Sequence, residues 1–129
     1  MRIGQILAVV ASAALLTSPV MAGPADVNAQ EFYLQAKQVM GKGLTAMFDK
    51  RNKPLVAQMK DAGESARAAN EAATKAGKPL YCASDAERKK GLNPKQVLAM
   101  LERLPESQRR SSTLRQAWRA ALAREYPCG

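Results

Sequence analysis

The residues that could do chemistry are few and poorly grouped. The chain has no histidine, which removes the commonest general base, the commonest metal ligand and both Ser-His and Cys-His dyads. Its two cysteines, Cys82 and Cys128, are too far apart for a CxxC redox or zinc pair, and neither has a partner cluster. Asp61 with Glu64, and Glu102 with Glu106, lie at helical spacing. Paired acids can hydrolyse glycosides, but only in a deep cleft, and solvated helix faces explain these pairs better. No catalytic residue, metal or cofactor is expected. The chemistry points to a non-enzyme that works by binding.

The cysteines have a different use. Cys128 sits one residue from the end, in Tyr126-Pro127-Cys128-Gly129, where chains fray unless tied down. A cross-link to Cys82 explains a thiol placed there, and two free thiols are the alternative. A bond requires an oxidising compartment, and the first 22 residues agree. Arg2 is followed by an apolar stretch from Ile3 to Leu16, a polar exit at Thr17-Ser18-Pro19, and the small-residue end Val20-Met21-Ala22. This is the pattern of a cleaved signal peptide. A retained anchor is the rival, but the run is short for a membrane span. The expected organisation is a signal peptide over 1–22 and one periplasmic domain over 23–129. A domain of that size gains from a staple.

With 20 basic and 11 acidic side chains the formal net charge is +9. Such an excess suits nucleic acid, but an exported protein rarely meets it, so no nucleic-acid partner is expected. An acidic protein, an anionic envelope polymer or a membrane surface fits better, with a merely solvated basic surface beside them.

Residues 23–129 read as helix throughout: alanine is abundant and no strand-length stretch alternates apolar and polar. Asp26 is expected to cap a first helix carrying Phe32, Ala36, Val39, Met40, Gly43 and Met47 on one face, weakened by Gly41 and Gly43. After the polar turn 49–54, a second helix runs from about Pro54 to Ala76. Its stripe is narrow and small: Leu55, Met59, Ala62, Ala66, Ala69, Ala73 and Ala76. Gly77-Lys78-Pro79 stops it. The charged segment 83–92 reads as an exposed loop. Asn93 and Pro94 open a third helix with Val97, Met100, Leu101 and Leu104 inward. A polar link over 106–111 leads to a last helix bearing Leu114, Ala117, Trp118, Ala121 and Leu122, with Trp118 in the core. The expected fold is an all-α, small four-helix domain stapled by one disulfide.

Gly77-Lys78-Pro79-Leu80-Tyr81-Cys82, then Leu92 to Leu104, then Leu114 to Cys128 resembles the C-terminal part of the Rap/Tai family of type VI secretion immunity proteins. The shared features are an aromatic-Cys pair after Gly-Lys-Pro, a helix opened by Leu-Asn-Pro, and a final helix closing on Ala120-Ala121-Leu122 and Tyr126-Pro127-Cys128. The resemblance covers about half of residues 23–129. Many relatives carry further cysteines near their first helix, and this chain has none. The resemblance implies a disulfide-bonded helical fold, a possible homodimer, and steric blocking of a secreted peptidoglycan amidase by a protruding loop or helix end. It assigns no contact residues. From charge and expected exposure alone, Arg88, Lys89, Lys90, Arg109 and Arg110 are the candidate partner contacts. The alternatives are an acid-stress chaperone of the HdeA type, which exposes apolar surface as acids titrate, and a binder of anionic envelope components.

Overall fold

A computed structural model describes residues 22–129; the expected signal peptide lies almost wholly outside the described residues. The fold is all-helical. A 3-10 turn, Pro24–Asp26, precedes α1 (Ala29–Met40), and a 3-10 helix, Gly43–Phe48, leads to α2 (Asn52–Lys75). Then follow α3 (Asp85–Lys90), α4 (Pro94–Glu102), α5 (Glu106–Arg110) and α6 (Leu114–Glu125).

The central helix is α6. Its Leu114, Ala117, Trp118, Ala121 and Leu122 are buried, as the apolar spacing predicts. They pack in one core with Phe32, Tyr33 and Val39 of α1, Leu55 of α2, and Val97, Met100, Leu101 and Leu104 from α4 and its end. Small residues let α2 approach closely: Ala62 and Ala66 are wholly buried. Farther along, the stripe departs from expectation. Asn70 is buried while Ala76 is exposed, because the Asn70 amide has work to do. Its Oδ1 accepts from the Leu80 and Tyr81 N–H groups at 2.8 and 3.2 Å, and its Nδ2 donates to the Tyr81 carbonyl at 3.1 Å. One side chain thus satisfies three backbone groups of the segment that turns back after α2. That turn is a Schellman motif: the Lys78 and Gly77 N–H groups donate to the Ala73 and Thr74 carbonyls, with Gly77 at φ +81°.

Capping chemistry sets most boundaries. Asn28, not the expected Asp26, caps α1, accepting from the Gln30 and Glu31 N–H groups. Asp26 instead pairs with Arg115 at 3.0 Å. Arg115 also reaches Asp61 at 2.7 Å, joining the N-terminal turn, α2 and α6. The helix expected to continue past Gly41 ends at Met40, and Gly43 takes φ +62°, a conformation that only glycine adopts without penalty. The charged segment 83–92 is not a loop throughout. Ser84 and Glu87 form a capping box that starts α3. The link expected over 106–111 likewise contains α5.

Cys82 and Cys128 are bonded. Beside the bond, the Cys82 N–H donates to the Tyr126 carbonyl at 2.8 Å, so the tail is tied to the segment before α3. Closing a loop of this length stabilises by roughly 4 kcal/mol in the chain-entropy model. No helix among the described residues is long and apolar enough to cross a membrane.

Candidate partner-binding surface

The sequence is least orthodox between α1 and α2. The 3-10 helix Gly43–Phe48 buries none of its residues. Leu44, Phe48 and Met47 are 91%, 81% and 69% exposed. Met47 belongs to the face that helical spacing assigned to the core. The break at Gly43 resets the register, and Met47 turns outward.

This apolar turn is held firmly from below. Asp49 closes it: its Oδ2 accepts from Lys42 Nζ at 2.6 Å and from Arg51 Nη2 at 3.0 Å. Its Oδ1 accepts from the Arg51 backbone N–H at 2.9 Å and from Arg51 Nε at 3.1 Å. Arg51 extends the clamp to α1 by donating to Gln38 at 2.8 Å. The Arg51 guanidinium, then Lys42 and the backbone N–H, hold the Asp49 carboxyl far below the usual carboxylate range. The carboxylate is therefore fully charged at neutral pH, and both ends of the turn are pinned to it. Three large apolar side chains stand on a braced platform, at a cost in solvation that a monomer gains nothing from.

Beside the turn, a cleft runs along α2. Its first half encloses about 530 Å³ between Val56 and Met59 of α2 and Leu92, Pro94 and Leu98, over a floor of Phe32 and Trp118. The second half, about 720 Å³, carries the charged groups: Arg67, Glu71 and Lys75 of α2 with Glu87 and Arg88 of α3, beside Tyr81 and Tyr126. Gly63, Leu92 and Trp118 line both halves, so the two adjoin there. Burial, against the pull of Arg88 and Arg67, raises the Tyr81 phenol above its ordinary value. Tyr81 therefore stays neutral and serves as an O–H donor or acceptor at this end.

The five cations expected at a contact surface fall in three settings. Arg88, Lys89 and Lys90 are all exposed on α3. Arg110 is exposed at the end of α5, paired with Glu106 at 3.0 Å. Arg109, expected at the surface, is instead buried. It is only 7% exposed, with its guanidinium 4.6 Å from the Tyr33 ring centroid. Its Nε donates to Gln30 at 2.7 Å, and its Nη1 donates to the Leu101, Glu102 and Leu104 carbonyls. The end of α4 leaves carbonyls without helical partners, and Arg109 supplies the donors. Helical spacing puts Met47 on the apolar face of a longer first helix and assigns Leu44 and Phe48 no role, so the exposed turn is not expected from spacing. The Gly41-Lys42-Gly43 break was the available signal.

The chain matches no protein-family model, no curated protein and no solved structure.

Proposed function

We propose that this chain is an exported immunity protein that binds a peptidoglycan amidase effector and blocks it sterically. The observation that carries the reading is the braced apolar turn, with Leu44, Met47 and Phe48 held out in solvent by the Asp49 clamp. A rigid apolar projection can enter a concave site with little loss of conformational entropy, which favours tight inhibition. The amidase as target rests on the Rap/Tai resemblance of the cysteine contexts and final helix. The periplasmic location rests on the N-terminal 22 residues and the disulfide. In this mechanism the chain does no covalent chemistry. It fills the mouth of the amidase cleft, excludes substrate, and leaves when the complex dissociates.

The test is binding and inhibition with purified type VI-secreted amidases from related genomes. Saturable binding with Kd of about 1 nM or tighter, together with stoichiometric loss of peptidoglycan cleavage, is the expected result. Failure to bind every such amidase removes the reading. An acid-stress chaperone behaves differently, because it suppresses client aggregation only at low pH. The apolar turn is already exposed with Asp49 ionised, so partner binding at neutral pH separates the two.

A further inference from the structure

We infer that the cleft along α2 is a second recognition site, built for an amphipathic segment of a foreign protein with an apolar stretch followed by an acidic end. It is separate from the apolar turn and stands or falls without it.

The dimensions come first. Residues of α2 line the cleft from Asn52 to Lys75, the full length of that helix, which is roughly 35 Å at the rise of an α-helix. A small molecule would fill one end only, whereas a helical or extended peptide segment spans it. The walls then specify the occupant's two ends. Val56, Met59, Leu92 and Leu98 form an apolar trough that takes leucine- or phenylalanine-sized side chains. Past the waist at Gly63, the charged groups are Arg67, Lys75 and Arg88 against Glu71 and Glu87. None of those three cations forms an ion pair among the described residues. Glu87 accepts from the Ser84 N–H at 2.9 Å, and the three cations outnumber the two carboxylates. Lys60 adds a further cation on the apolar wall. Carboxylates placed at this end would meet open guanidinium groups suited to bidentate pairing.

Charge also decides against a second copy of this chain. The apolar turn, Leu44 to Phe48, is bordered by Lys42, Lys50, Arg51 and Lys53 with Asp49 the one acid among them, so its border is net positive. Inserting it would bring cations against Lys60 and Arg67, and the whole chain carries +9. An acidic foreign segment has the opposite sign at every one of those positions.

Gly63 supplies the decisive variant. A Cβ built there meets nothing within 4 Å, and the residue is in the middle of α2. Gly63→Leu therefore fills the waist of the cleft while favouring the helix by propensity. Trp118, the only tryptophan, lines both halves and reports occupancy through its fluorescence.

The experiment titrates the exported protein with two synthetic, tryptophan-free 18-residue amphipathic peptides. One carries leucines followed by a glutamate cluster; the other has lysines in place of the glutamates. The expected result is saturable, salt-sensitive binding of the acidic peptide, at least tenfold weaker binding of the basic one, and loss of binding in Gly63→Leu at an unchanged or higher melting temperature. In the exposed pair Arg67→Glu and Arg88→Glu the preference reverses, a check that does not depend on how Gly63→Leu folds. Equal binding of both peptides, or undiminished binding by Gly63→Leu, overturns the proposal. So does a dimer in sedimentation that Gly63→Leu converts to monomer, because the occupant is then a second copy. Amidase binding that survives Gly63→Leu leaves the proposed function standing and removes only the cleft from it. Peptide binding without amidase binding does the reverse.

Discussion

The α5 junction buries a charge, whereas the turn between α1 and α2 exposes three large apolar side chains. Arg109 lies under the surface against Tyr33, while Phe48 and Leu44 stand in water. Unsatisfied backbone groups can therefore outrank side-chain polarity in deciding what is buried. At the end of α4, carbonyls without partners draw a guanidinium inward, and its remaining face stacks on an aromatic ring. At the turn, a glycine break and a carboxylate clamp fix a backbone path that leaves no core for the apolar residues to join. One site spends charge on stability, and the other withholds hydrophobic surface from it.

The largest expected effect breaks the buried side of this contrast. Arg109→Ala leaves the Leu101, Glu102 and Leu104 carbonyls short of donors and removes the ring contact. A loss of about 3 kcal/mol is expected in urea unfolding, with partner affinity unchanged in whatever remains folded. A change under about 0.5 kcal/mol would mean the residue belongs to the surface, as an ordinary exposed arginine does.

Next comes Asn70→Ala, which tests the same principle on α2. Three backbone groups of Leu80 and Tyr81 lose their partner, so about 2 kcal/mol should be lost. Amide exchange at Leu80 and Tyr81 should accelerate more than at α6.

A smaller effect comes from pH. The Asp49 and Asp26 carboxyls lie below their ordinary values in the folded chain, the first through Arg51 and the second through Arg115. A depressed folded value contributes stability above the unfolded value, near pH 4, and loses it as pH falls through the folded value. Thermal melts should therefore hold steady from pH 7 to about 5 and decline below about 4. Asp49→Asn should flatten part of that decline and loosen the apolar turn. Melting temperatures that rise on acidification would contradict the clamp.

Much of this was legible in the residues. Val97, Met100, Leu101 and Leu104 behave as their spacing predicts, as do Leu114, Trp118 and Ala121. Asn93 with Pro94 opens α4, and Gly77 ends the turn after α2. The bond between Cys82 and Cys128 follows from their isolation and the terminal placement of one of them. Arg109 was not legible, because its partners are carbonyls of another helix, and backbone acceptors leave no trace in side-chain composition. Asn70 is hidden for the same reason. The turn was half legible: Gly41 and Gly43 advertise a weak helix, but only the three-dimensional path shows that Met47 and Phe48 end outside it.

Stability should change least in the double variant Leu44→Ser with Phe48→Ser, which isolates the binding role of the turn. The measurement pairs its thermal melt with its affinity for the proposed amidase partner. If the turn is a contact surface, stability stays within about 0.5 kcal/mol of the parent while affinity falls by about 100-fold or more. Unchanged affinity, or a melt that collapses, would contradict the account.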